Sequence, residues 1–230
     1  MGRGVLLLFD VDGTLVRTAG AGRHALNAAF QQLYGFEGAL DGVRLDGNTD
    51  PQILEQVFRT RWGRSARPEE EAALRACYLE HLPAQLEARR AEYQVLPGVR
   101  SCLEWAAGRF AVGLATGNIE AGARMKLEPG DLGRYFRFGG FGSDGAERAE
   151  LVRQAIRRGE AHAGRRFAPR EVVVIGDTER DVHAARAVGC RAVGVLAGCS
   201  DVDRLEASRP DWLAPDFDDP QLRRWIESAP

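Results

Sequence analysis

Residues 6–16 read LLLFDVDGTLV. The apolar run of residues 5–9 stops at Asp10 and gives way to Val11, Asp12 and Gly13. An apolar run without alternation is the pattern of a strand buried on both faces, as in a parallel sheet covered by helices. Two carboxylates one residue apart at the end of such a strand would be costly as bare charges, so the fold must bring something to compensate them.

Toward the C-terminus, short apolar runs alternate with helical spacing. Strands are expected at residues 110–115, 136–141, 172–175, 192–196 and 212–214, and helices at 98–107, 119–127 and 150–161. Strands alternating with helices indicate an α/β fold, a doubly wound, mostly parallel sheet with a Rossmann-like core.

Residues 18–93 break that alternation and read as helices alone. The segment 21–35, AGRHALNAAFQQLYG, carries Leu26, Phe30, Leu33 and Tyr34 on one stripe. Asp50-Pro51 reads as a capping residue followed by proline in the first turn, with Ile53, Leu54, Val57 and Phe58 continuing an amphipathic helix. Pro68 opens a third helix, acidic in its first turn through Glu69, Glu70 and Glu71, that is expected to kink or break at Pro83. The expected organisation is one catalytic core, residues 1–17 and 94–230, interrupted by an α-helical insertion at residues 18–93.

A chain of 230 residues is long enough to bury a core in each part. Its formal net charge of -2 excludes the strongly basic profile of a nucleic-acid binder. No apolar run approaches the roughly 20 residues of a membrane helix, and the sequence enters a strand at once, so neither a membrane anchor nor a signal peptide is expected. Cys77, Cys102, Cys190 and Cys199 lack CxxC spacing, the pattern of reduced thiols in a cytoplasmic protein. The basic residues are almost all arginine, and Lys126 is the sole lysine.

In open α/β sheets ligands collect beyond the carboxyl ends of the strands. Three such ends are informative together: Asp10 and Asp12; Thr116-Gly117-Asn118; and Gly176-Asp177, followed by Thr178, Glu179, Arg180 and Asp181. Asp177 and Asp181 are spaced to share one face of a helical turn. Carboxylates converging on one cleft repel each other unless a cation sits among them, and hard oxygen ligands without His or Cys point to Mg²⁺. Taken singly, each motif has an ordinary reading as a turn, a loop or a helix cap. Their joint occurrence at three strand ends is what carries the argument.

FDVDGTL, ATGN and VVVIGDTERD resemble motifs one, two and four of the haloacid dehalogenase superfamily, in its phosphatase branch, similar to phosphoglycolate phosphatases. The resemblance spans essentially the whole chain, and residues 18–93 look like that superfamily's helical cap of the first type. It implies Mg²⁺-dependent hydrolysis of a small phosphate monoester, phosphoglycolate-like or sugar-phosphate-like, through an aspartyl phosphate. Asp10 would be the nucleophile and a metal ligand, and Asp12 the acid and then the base, with its backbone carbonyl on the metal. Thr116, Gly117 and Asn118 would bind the phosphoryl group, and Asp177 and Asp181 would complete the metal site. Asp12 favours phosphoryl transfer over dehalogenation, and the lack of lysine in the insertion disfavours Schiff-base phosphonate chemistry. A phosphomutase would share every core residue, whereas a receiver-type signalling domain would lack both the insertion and Asp12.

The resemblance departs at motif three, where a lysine is usual. That region reads GSDGAERAEL and offers Arg148. Lys126 lies on the order of 10 Å down the helix after Thr116, and a lysine side chain leaning toward the helix start can reach back. Lys126 is therefore the first candidate for the phosphate-binding cation and Arg148 the second, against a reading in which Lys126 is simply exposed. In the insertion, Gly47, Asn48, Thr49 and Asp50 precede a helix start, and Arg44 and Arg23 are candidates for substrate recognition. The sequence leaves the oligomeric state open.

Overall fold

The apolar run becomes β1 (Leu6–Phe9), whose four residues are all buried. A computed structural model describes residues 4–228. The remaining strands are β2 (Val16–Arg17), β3 (Gln94–Val95), β4 (Ala111–Ala115), β5 (Gly139–Gly140), β6 (Val172–Gly176), β7 (Arg191–Val195) and β8 (Trp212–Ala214). The α-helices are α1 (Ala21–Tyr34), α2 (Asp50–Trp62), α3 (Pro68–Ala88), α4 (Val99–Ala107), α5 (Glu120–Leu127), α6 (Arg148–Ala163), α7 (Glu179–Ala187), α8 (Val202–Ala207) and α9 (Pro220–Glu227).

Six strands form one sheet in the order β5-β4-β1-β6-β7-β8, every pairing parallel. Side chains alternate across it. Leu7 and Phe9 join the core under one face, and Leu6 and Leu8 join the core under the other. Full burial of each such side chain contributes about 1.5–3 kcal/mol. With Phe9 paired to both Leu114 and Ile175, the chain leaves β1, β4 and β6 at one edge. Asp10, Thr116 and Asp177 are delivered there side by side.

Helices α1, α2 and α3 bury a separate core built on Phe30, Val57, Phe58, Leu74 and Leu82. The chain passes to and from them through a two-stranded antiparallel ribbon, Val16 against Val95 and Arg17 against Gln94. The periodicity does not announce this ribbon, because two residues per strand are too short to show a pattern.

Four local expectations change. Leu33 is 41% exposed rather than on the buried stripe, whose members are Ala21, Ala25, Leu26, Ala29 and Phe30. Helix α3 runs on through Pro83, because Leu82 and Leu86 beside it are anchored in the helical core. The cap of α2 is Thr49, which exchanges hydrogen bonds with Gln52, and Asp50 is left for another task. The run at residues 136–141 contributes only the two-residue edge strand β5, although Phe136, Phe138 and Phe141 are buried. All four cysteines are free, and no described helix is long and apolar enough to cross a membrane.

Candidate active site

Asp10 leaves β1 with its amide donating to Ile175 O at 2.9 Å, which fixes its position against β6. Its carboxylate, that of Asp177 and that of Asp181 are buried and offer oxygens that all lie within 4.8 Å of one another. Burial pushes the Asp10 carboxyl up to about 6, against the pull of the Arg148 guanidinium and with a further push from Asp181. Burial, then Asp10 and Asp181, hold Asp177 well above the usual carboxylate range, and the Thr14 hydroxyl donates to it at 2.8 Å. Asp181 opens α7 and accepts from the Thr178 hydroxyl at 2.7 Å.

Gly13 makes this clustering possible. Its φ is 76°, a left-handed conformation, and a Cβ there would lie 2.2 Å from Asp177 Oδ2. Three buried, converging carboxylates with one guanidinium among them form an excess of negative charge. An all-oxygen set of that kind fits a hard divalent cation such as Mg²⁺.

The Asp12 side chain is not in this cluster. Its Oδ2 accepts from Lys126 Nζ at 2.6 Å and from Asn118 Nδ2 at 2.8 Å. Asn118 turns its oxygen to the same ammonium, also at 2.6 Å, and donates to Thr116 Oγ1 at 2.9 Å. Lys126 is only 7% exposed, so the exposed-lysine reading fails. Burial works against its charge, but Asp12, Tyr78 and Asp50 outweigh it and hold the ammonium above its ordinary range.

Arg148, whose side chain is 10% exposed, starts α6 and does a different job. It reaches Asp10 Oδ2 at 2.6 Å and Asp181 Oδ1 at 2.8 Å through separate nitrogens. Thus Lys126 and Arg148 do not compete for one position, since each holds a different carboxylate of the first motif.

The segment of residues 44–50 lies over these groups. Arg148 Nη1 donates to Gly47 O at 3.2 Å, Thr49 Oγ1 donates to Ala146 O at 2.9 Å and Asp50 N donates to Gly117 O at 2.8 Å. The Asp50 carboxylate accepts from Ile119 N at 2.8 Å. Gly117 permits the approach, because a Cβ there would lie 2.6 Å from Asn48 O. Arg44 pairs with Glu179 at 2.8 Å, Arg180 bonds Asn48, and Arg23 donates to Leu40 O at 3.2 Å. Thr14 and Thr178, which brace the acidic cluster, were missed by the sequence reading although both sit inside the quoted motifs. Between the sheet edge and the helices lies a cavity of about 550 Å³ that includes Asp10, Asp12, Thr116, Lys126 and Arg148 in its lining.

This constellation at the sheet edge coincides with a match of residues 7–195 to the profile of the haloacid dehalogenase-like hydrolases. The chain belongs to that family. It is 28% identical over 214 residues to a phosphoglycolate phosphatase of Synechococcus elongatus, covering 90% of this chain and 91% of that protein. A phosphoglycolate phosphatase of Salmonella typhimurium is 27% identical over 235 residues, covering 92% of this chain and 88% of that one. Among solved structures, CbbY from Rhodobacter sphaeroides in complex with phosphate superposes with a TM-score of 0.71 at 21% identity, covering 95% of this chain and 96% of that one. The haloacid dehalogenase-like core and its parallel sheet are thus common to this chain and its structural neighbours.

Proposed function

We propose that this haloacid dehalogenase-like protein is a Mg²⁺-dependent phosphatase that hydrolyses a phosphate monoester through an aspartyl phosphate, with residues 18–93 as a cap over the site. The observation that carries the reading is the division of labour between Asp10 and Asp12. Asp10 is buried among acidic groups and a guanidinium, whereas the Asp12 side chain is 41% exposed and stands at the cavity. Two carboxylates in such different surroundings suit different roles.

In the first step the Asp10 carboxylate forms a bond to phosphorus while the bond from phosphorus to the ester oxygen breaks, and Asp12 gives its proton to the departing alkoxide. In the second step Asp12 takes a proton from water as that water attacks phosphorus, releasing phosphate and regenerating Asp10. Asp10, Asp177 and Asp181, with the Asp12 carbonyl, would hold the ion, whose chemistry is to let an anionic carboxylate and an anionic phosphoryl group approach one another. Arg148 orients Asp10, and Thr116 and the Gly117 amide offer hydrogen bonds to phosphoryl oxygens. Lys126 and Asn118 orient Asp12.

The test is phosphate release from a panel of monoesters with Mg²⁺ and with chelator. Metal-dependent release that disappears in Asp10→Asn supports the reading. Conversion of one sugar phosphate into another without release would identify a phosphomutase instead.

A further inference from the structure

Asp50 is the first residue of α2, whose start is closed by Thr49 and Gln52 between themselves. That frees its carboxylate to cross to the core, where it accepts from Ile119 N at 2.8 Å, while its amide donates to Gly117 O at 2.8 Å. One residue of the insertion thus grips residues 117–119 at both ends. Ile119 is the N-cap of α5 and offers no side-chain acceptor to that helix start. A carboxylate from another segment takes over the task, and its charge suits a helix N-terminus.

The grip bears on the phosphoryl-binding loop. The inner side of the loop is fixed by Thr116 N on Gly140 O at 3.0 Å and by Gly142 N on Asn118 O at 2.7 Å. Gly117 has no side chain to anchor it, and glycine leaves the backbone free to turn. Pinning its carbonyl to Asp50 N narrows the directions open to its amide. Lys126 is held from the same side. Burial pushes the Asp50 carboxyl up, and the Lys126 ammonium, then the Ile119 amide, pulls it down. Gly22 of α1 closes over the same ammonium, since a Cβ there would lie 3.2 Å from Lys126 Nζ.

We propose that Asp50 is a positioning residue through which the helical insertion sets the geometry of the site: it orients the Gly117 amide for the phosphoryl group and helps seat Lys126 beside Asp12. Asp50 acts through these groups and takes no part in the bonds made and broken. The proposal rests on the phosphatase reading and adds to it a residue outside the core motifs.

The test measures kcat and KM, at saturating Mg²⁺, with the monoester that the wild type hydrolyses fastest in the panel above. Misaligned donors are felt mostly in the transition state. Asp50→Ala should therefore lower kcat about thirtyfold, the scale of one hydrogen bond to a charged group, with KM changed less than about threefold. Asp50→Asn keeps an oxygen that can accept from Ile119 N but loses the charge, and it should regain about fivefold. Thermal melting followed by circular dichroism establishes that each variant is folded. If Asp50→Ala is not, Asp50→Glu, which keeps the charge but displaces the carboxylate, takes its place with the same expectation. If the wild type releases phosphate from none of the panel, the phosphatase reading falls and the proposal with it. If the wild type is active and the variant keeps its kcat, whether or not KM rises, Asp50 positions nothing in the site and the proposal alone is overturned. An Asp50→Asn variant no faster than that one overturns it equally.

Discussion

The only lysine of the chain, Lys126, places its ammonium 2.6 Å from the carboxylate of Asp12, 114 residues away in sequence, and lines the same cavity as Arg148. Asp12 and Asp50 together balance this ammonium, and with Asn118 it fixes where the Asp12 carboxylate stands.

Lys126→Ala and Arg148→Ala should each reduce kcat/KM by about 2–4 kcal/mol, the scale of losing one preorganised donor. The control is Arg64→Ala, which pairs with Glu70 in the helical insertion and is not in the cavity lining, and its effect on kcat/KM should stay below about 0.5 kcal/mol. Steady-state kinetics of the three variants decides. A near-wild-type Lys126→Ala would show that Asp12 needs no cation to hold it.

Asp12→Asn keeps the hydrogen bond to Asn118 within reach but cannot trade a proton. Both chemical steps should slow, and a phosphoryl group should accumulate on Asp10. Intact-protein mass spectrometry after acid quench reads this directly; an unmodified variant that still turns over would remove Asp12 from the mechanism.

The acidic cluster predicts how metal binding depends on pH. Burial pushes Asp10 up to about 6 in the folded protein, from an ordinary carboxylate value of 3.8, and Asp177 is shifted in the same direction. The folded state therefore binds more protons than the unfolded one between these values, and the metal-free cluster costs stability as pH rises through about 6. Mg²⁺ should offset that cost only where the carboxylates are ionised. Its addition should raise Tm clearly at pH 7.5 and hardly at pH 4.5, measured by differential scanning fluorimetry. An equal gain at both values would place the ion elsewhere.

Gly13→Ala should disturb the same cluster from the backbone side. A methyl group at that φ and 2.2 Å from Asp177 Oδ2 forces either the turn or the carboxylate to move. We expect a loss of about 1–3 kcal/mol in stability and a weaker Mg²⁺ effect on Tm. Denaturant melts with and without Mg²⁺ separate the two.

The strand-end motifs were legible in sequence because a doubly buried strand must be apolar throughout, so Asp10, Asp12 and Asp177 stand out wherever they end one. The alternation of strands and helices was legible for the same reason, and so was the helical character of residues 18–93. The separate tasks of Lys126 and Arg148 were not. Their distances to Asp12 and Asp10 depend on how α5 and α6 lie against β4 and β1, which no local pattern encodes. Thr49 took the cap position expected of Asp50 because Asp50 is needed by the amide of Ile119, a partner 69 residues away. Sequence by itself determined the sheet, the acidic strand ends and the chemistry they invite. Only the tertiary structure decided which cation holds which carboxylate and what lines the cavity, because both arise from side chains of distant segments meeting at one edge of the sheet.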